Sequence, residues 1–211
     1  MSTLSTRPAA GPDVDVKPDV DAGGKADADM KSVLSSFCTG VAVVTACGSD
    51  GRPVAMAVQS FSSVSLDPPL VCFCPARTST SWPGIRAAGA FAVNILAADQ
   101  EGLCRRFAVT GGDKFAGVPW RAGGNGAPLL DGVLATVECT LEDVLDGGDH
   151  AIVLGRVTAL AAHREGAPLL YFRRTYGRLP RSGAPEPSAP GGTAIPSRSE
   201  SMAAARSRSE A

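Results

Sequence analysis

The sequence predicts a mainly β domain: a small barrel with a few short helices beside it. Three observations carry this. Short apolar runs recur at 41–47, 53–58, 70–74, 91–96, 134–144 and 151–160. Turn signals bound them, as in Ser49-Asp50-Gly51-Arg52 and Asp146-Gly147-Gly148-Asp149. Helical periodicity is confined to three brief stretches. Six or so short strands tend to close into a barrel, because closure removes the unpaired edges of an open sheet.

Each element has a local reason. Met30, Val33, Leu34 and Phe37 recur at helical spacing. Asp29 is placed to cap the free amides at the start of that helix, and Gly40 to end it. The β-branched run 41–47 reads as a strand. Asp-Gly then marks a hairpin turn into a second strand over 53–58. The segment 59–70 reads as a polar, hydroxyl-rich turn closed by Pro68-Pro69. Strands follow over 70–74 and 91–96. Between them 81–88 reads as a helix, with Pro83 in the first turn, where a missing N–H costs little. Residues 99–107 form a third helical stretch, with Leu103 and Phe107 on one face. The glycine-rich 111–127 reads as loop. Two long strands, 134–144 and 151–160, and a last one over 169–172 complete the domain.

Outside that span the composition shifts. Residues 1–28 are rich in Pro, Gly, Ala and Asp, and 180–211 in Pro, Gly, Ser, Ala and Arg. Neither stretch has enough apolar surface to offset its ordering entropy, so both read as disordered and 29–179 as the folded domain. The formal net charge is −1, which argues against nucleic acid as the main partner. No apolar run approaches a membrane span and no signal-peptide pattern opens the chain, which together predict a cytoplasmic protein without a membrane role. The six cysteines, Cys38, Cys47, Cys72, Cys74, Cys104 and Cys139, form no CxxC pair and read as buried thiols. With only His150 and His163 there is no histidine-rich metal site. GxGxxG, GxxxxGK[ST] and GxSxG are all absent, so an enzyme built on this chain would leave its hard chemistry to an organic cofactor.

One stretch stands out: Gln59-Ser60-Phe61-Ser62-Ser63-Val64-Ser65-Leu66-Asp67-Pro68-Pro69-Leu70. By composition it fits a solvated loop whose Ser and Asp satisfy local backbone groups. It also fits a rim of amides and hydroxyls facing a flat heterocycle. Further on come Ser79-Thr80-Ser81-Trp82, Phe91-Ala92-Val93-Asn94-Ile95-Leu96, Arg106-Phe107-Ala108, Asp113-Lys114-Phe115, Gly126-Ala127-Pro128-Leu129-Leu130 and Gly148-Asp149-His150-Ala151-Ile152-Val153-Leu154-Gly155-Arg156-Val157. Pro168-Leu169-Leu170-Tyr171 closes the series. In this order and spacing, over residues 30–176, the set resembles the short-chain flavin reductase family, the reductase components of two-component flavin-dependent monooxygenases. Phe37-Cys38-Thr39-Gly40, Phe73-Cys74-Pro75 and Asp113-Lys114-Phe115-Ala116-Gly117 look most like reductase partners of aromatic and seco-steroid hydroxylases.

The resemblance implies an FMN-binding split β-barrel and a homodimer with FMN or FAD at the barrel mouth. It implies hydride transfer from NADH or NADPH to the flavin, and release of reduced flavin to a separate monooxygenase. It also implies roles for individual residues. Backbone groups of Ala57, Val58, Gln59 and Ser60 would meet the flavin's pyrimidine edge, with Ser65, Cys74 and Pro75 nearby. Ser79, Thr80 and Ser81, before a helix, would take the phosphate, with Arg77 and Lys114 adding charge. Phe107 is a candidate cofactor contact, although such a residue is more often core. His150, on a Gly-Gly-Asp turn, would bind and orient the nicotinamide as the one catalytic candidate, with Tyr171, Tyr176 and Arg173 in the same pocket. The family often carries Thr where Ala57 stands, and Asn or Ser where Gln59 stands, so one hydroxyl contact is missing. Such a loss is worth on the order of 1 kcal/mol. The competing reading is a split-barrel flavin- or haem-binding protein without turnover. A pyridoxamine-phosphate oxidase relative is a more distant third, lacking a basic cluster for that substrate's phosphate.

Overall fold

The computed structural model describes residues 29–48 and 50–179. The two tails assigned from composition, 1–28 and 180–211, lie outside the described residues. Along the chain run α1 (Met30–Leu34), β1 (Thr39–Gly40), β2 (Ala42–Cys47), β3 (Pro53–Val58), β4 (Ser62–Leu66), β5 (Pro69–Phe73), α2 (Trp82–Ala88) and β6 (Ala90–Ile95). Then come α3 (Glu101–Ala108), β7 (Trp120–Ala122), β8 (Pro128–Leu130), β9 (Ala135–Gly147), β10 (His150–Ala162), β11 (Leu170–Phe172) and β12 (Thr175–Gly177).

Seven strands make one antiparallel sheet in the order β3-β2-β6-β9-β10-β5-β4. Val58 of β3 and Phe73 of β5 lie near opposite ends of that order. Yet they share one apolar cluster with Val44, Phe91, Val93, Cys139 and Val153, so the sheet curls on itself. The barrel is not closed. β3 and β4 are the two sheet edges, and only the connection 59–61 joins them. A seam therefore runs between two strands that follow each other in sequence. Helix α2 plugs the interior with Trp82 and Ile85, and Phe73 stacks edge-on against Trp82 (6.0 Å) and Phe91 (5.3 Å).

A second apolar layer covers the outside of β2 and β3. Val43 and Ala55 pack with Cys104 and Phe107 of α3 and with Phe115, Leu130, Val133 and Leu169. Two-sided burial explains why the β2 run Ala42-Val43-Val44-Thr45-Ala46 shows no polar alternation. Its one polar member is satisfied. Thr45 Oγ1 donates to Pro128 O at 2.5 Å and accepts from Asn94 Nδ2 at 3.0 Å. Asn94 also donates to Val43 O at 3.1 Å and accepts from Leu130 N at 2.8 Å. The buried Asn of the 91–96 strand thus pins the β7–β8 hairpin to the barrel wall.

Several expectations need correction. Residues 62–66 are a strand, not part of a turn, because the ladder to β5 supplies the backbone partners that Ser-rich sequence alone does not specify. Helix α1 forms, with the Asp29 carboxylate accepting from Lys31 N, but it ends at Leu34 instead of Gly40, which lies in β1. Its apolar face is not packed: Met30 is 73% and Phe37 74% exposed. The loop 111–127 contributes β7 and flanks β8, and β12 was not foreseen. The β11–β12 turn carries Arg173 and Arg174 at φ 47° and 65°, conformations normally left to Gly or Asn. Only Cys104 and Cys139 are buried thiols; Cys38 is exposed and the other three are half-buried. His163 is at the surface, with Nε2 2.8 Å from Thr136 Oγ1.

Gly155 of β10 lies where no side chain fits. An added Cβ would collide with the Phe91 ring and come within 3.1 Å of Cys139 Cβ. Gly155→Ala is expected to lower unfolding stability by about 1–3 kcal/mol in urea denaturation. Gly102→Ala on α3, where a Cβ meets nothing within 4 Å, should leave stability unchanged or raise it. Asn94→Ala should cost about 1–3 kcal/mol by orphaning the buried Thr45 and Leu130 groups.

Candidate active site

The seam sets the site. In an antiparallel pair, the amide and carbonyl of alternate residues point away from the neighbour. On β3 the Ala55 carbonyl accepts from Lys114 Nζ at 3.3 Å, so Ala55 faces away from β2. Two residues on, Ala57 faces the same way and leaves its amide and carbonyl on the open edge. A cavity of about 500 Å³ lies there, lined by Ala57, Val58, Gln59, Ser60, Cys74, His150 and Tyr176 among others. Residues from the seam and from the Gly-Asp-His turn therefore share one cleft, although 90 residues separate Ser60 from His150 in sequence.

Hydrogen bonds brace its walls. Ser60 Oγ accepts from Cys74 N at 2.8 Å, extending the β4–β5 pairing to the 59–61 connection beside the seam. The His150 turn is clamped from below: Ala151 N donates to Pro75 O at 3.0 Å and Arg77 N to Asp149 O at 2.9 Å. The Arg77 guanidinium donates to Gly148 O at 2.8 Å and to Asp146 Oδ1 at 2.6 Å. That bond holds the Asp146 carboxyl below the usual carboxylate range. Arg77 is thus spent on the turn, and the expectation that it adds charge to a phosphate site is corrected. His150 Nδ1 lies 2.7 Å from Asp149 Oδ1, an arrangement that orients the ring and keeps the Asp149 carboxyl low. The His150 side chain is 45% exposed, as a rim residue should be.

Tyr176 forms another part of the lining and is held at three points. Its hydroxyl lies 3.3 Å from the buried Cys104 Sγ, its ring meets Tyr171 edge-on at 5.1 Å, and the Arg105 guanidinium lies 4.8 Å from its centroid. Arg105 is in turn fixed by Glu101 at 2.7 Å. Burial, then the bond to Cys104, pushes the Tyr176 phenol up to about 12.

A second cavity, about 700 Å³, lies at the other end of β3, lined by Arg52, Ala55, Thr80, Ser81, Gly112 and Lys114 among others. Lys114 Nζ donates to three neutral acceptors, Ala55 O, Ser81 Oγ and Phe107 O, each at 3.3 Å. Burial lowers its pKa. The neighbouring Asp113 carboxylate instead accepts from Phe115 N and Ala116 N at 3.0 and 3.1 Å. A cation without a paired carboxylate thus faces a cavity, which is the electrostatic condition for binding an anion.

Of the expected site residues, Ala57, Val58, Gln59, Ser60, Cys74, His150 and Tyr176 meet in the first cavity, and Thr80, Ser81 and Lys114 in the second. Five line neither. Phe107 is 1% exposed and packs on Phe115 at 5.1 Å as core. Ser79 Oγ accepts from Trp82 N at 3.3 Å as a helix cap. Pro75 is buried behind the His150 turn, Tyr171 backs Tyr176, and Ser65 sits half-exposed on β4. Sequence reasoning missed Cys104 and Arg105. Helical spacing from Phe107 places Cys104 on the packed face of α3, but nothing local signals its pairing with Tyr176, 72 positions away.

Known proteins share this sequence and fold. The flavin reductase like domain matches residues 34–180. The reductase subunit HsaB of a flavin-dependent monooxygenase from Rhodococcus jostii is 48% identical over 159 residues, covering 75% of this chain and 81% of that protein. A crystal structure of a nitrilotriacetate monooxygenase component B homologue from Mycobacterium thermoresistibile superposes with a TM-score of 0.69 at 44% identity, covering 75% and 89% of the two chains. The NADH:FAD oxidoreductase SgcE6 of Streptomyces globisporus, solved with NAD and FAD fragments, gives 0.69 at 37% identity over 73% and 93%. With a split barrel, a seam-side cleft and matches over most of its folded length, the chain belongs to the flavin reductase like domain family.

Proposed function

We propose that the chain is an NAD(P)H:flavin oxidoreductase that hands reduced flavin to a separate monooxygenase. The observation that carries this is the shared cleft of the β3 seam and His150. A flavin needs hydrogen bonds along one ring edge, an anion site for its phosphate, and access for a nicotinamide. The open edge at Ala57, with Gln59 and Ser60, suits the first; Lys114 with Thr80 and Ser81 suits the second; the rim at His150 and Tyr176 suits the third. When bound, the flavin supplies the chemistry, accepting a hydride from NAD(P)H and a proton from solvent, with NAD(P)⁺ and reduced flavin as products.

The protein's task is then to hold two rings face to face, which removes the entropy of bringing them together. Ala57 and Gln59 fix one ring in plane. His150, steadied by Asp149 and the Arg77 clamp, orients the nicotinamide, while Tyr176 keeps its ring position through Cys104 and Arg105. No side chain needs to act as a proton-abstracting base.

A homodimer fits two exposed features. β10 pairs with β5 only over 153–156, so residues 157–162 have no ladder on that side among the described residues. Leu160 there is 72% exposed, and the α1 apolar face is open as well. Such edges favour pairing with a second copy. The folded unit is proposed to span 29–179. Among the described residues no helix is long and apolar enough to cross a membrane. Six free thiols and dependence on NAD(P)H fit the reducing cytoplasm.

Purified protein with FMN or FAD should oxidise NADH or NADPH and bleach the flavin without oxygen; a coloured protein inert to both nicotinamides would favour a carrier instead. His150→Ala should raise KM for the nicotinamide about tenfold and leave flavin affinity within about twofold. Equal losses in both would remove the assigned role. In Tyr171→Phe, which leaves Tyr176 as the last tyrosine, the phenolate should appear near pH 12 and earlier once Cys104 is also Ala. Because the folded pKa lies above the unfolded value of about 10, this group's stabilisation is complete below pH 10. It is lost as pH rises through about 12.

A further inference from the structure

The second cavity is larger than a flavin phosphate requires. At about 700 Å³ it falls within the size range of sites that enclose a whole organic ligand. We propose that it receives the adenylate half of the flavin, which makes FAD, not FMN, the preferred flavin of this enzyme. The inference rests on the placing of the flavin ring in the first cavity.

Three features support it. The first is continuity. Both cavities share β3, with Ala55 lining one and Ala57 the other. At about 3.4 Å per residue these lie about 7 Å apart. A ligand with its ring edge at Ala57 and Gln59 therefore reaches Lys114 within a few bonds. The second is charge. Lys114, bonded only to neutral acceptors, serves one phosphate. Arg52, on the wall of the same cavity, is left for another. It forms a long, solvent-exposed ion pair with Asp50 at 3.7 Å, its side chain 87% exposed, a pairing weak enough for a phosphate to replace. A mononucleotide has one phosphate for these two cations; a dinucleotide has two. The third is shape. Gly111 and Gly112 follow each other at φ 79° and 71°, and a Cβ on either would meet nothing within 4 Å. The wall is bare peptide beside open space, which admits a flat purine, and a side chain there would be both strained and in the way.

The test is a fluorescence titration of the full-length protein with FAD, FMN and riboflavin, without a nicotinamide, beside a separate titration with NADH and NADPH. FAD should bind at least about tenfold more tightly than FMN, and FMN more tightly than riboflavin. Arg52→Glu should collapse the FAD-to-FMN ratio towards 1, and Gly112→Val, which fills the wall, should do the same. Equal affinity for FAD and FMN in the native protein overturns the proposal. So does an Arg52→Glu variant that keeps the ratio and loses NADPH or NADH affinity instead, since the cavity would then house the nicotinamide's adenylate. The titration reads binding alone. Absence of turnover with NADH would remove the reductase reading, while the flavin preference still stands or falls on the affinities.

Discussion

The structure depends on one unmade ladder. β3 and β4 follow each other in sequence and would be natural hairpin partners, but they lie at opposite ends of the sheet order and leave a seam. Unpaired strand edges are usually hidden, because bare amides and carbonyls attract other chains. Here the edge of β3 is put to use. Lys114 takes the Ala55 carbonyl, and the groups at Ala57 stay open in a cleft of ligand size. A closed barrel of the same sequence would bury those groups against β4 and have no such cleft.

Keeping a seam open requires that everything around it be fixed. The interior is packed tightly enough that Phe91 occupies the space of a missing side chain at Gly155. Thr45 and Asn94, bonded to each other, hold β8 to the wall through Pro128 O and Leu130 N. Ser60 ties the seam's connection to the end of β5 by one bond to Cys74, and Arg77 clamps the turn that carries His150. Several residues in and beside the recurring motifs thus have a mechanical reason distinct from any direct contact with ligand. Arg77 and Ser79 show how easily the two are confused: both were expected at a phosphate and both serve the scaffold. In the cleft, by contrast, Ala57 packs its side chain on the second apolar layer but leaves its edge amide and carbonyl on the open side, with the exposed Gln59 beside it.

Much of this was legible in the sequence, for identifiable reasons. The long strands around His150 were readable because Asp146-Gly147-Gly148-Asp149 is an unambiguous turn between apolar runs. Helix α2 was readable from Pro83. The strand β4 was not, since a Ser-rich segment takes its conformation from the neighbour it pairs with. At α1 helical spacing shows that a face exists, not what covers it, and Met30 stays 73% exposed. At the site, the meeting of Ser60 with His150 was expected only through the family resemblance. Periodicity and turn chemistry carry no information about contacts at that separation. The hold of Cys104 on Tyr176 is of the same kind, and Phe107, named through the resemblance as a cofactor contact, is core instead.

The most direct test of the central claim is a crystal structure of the full chain with FAD and NAD⁺ bound. The account predicts the flavin ring edge against Ala57 and Gln59, its phosphate at Lys114, and the nicotinamide between the flavin and His150. A flavin ring bound away from the β3 seam, or a nicotinamide remote from His150, would contradict it.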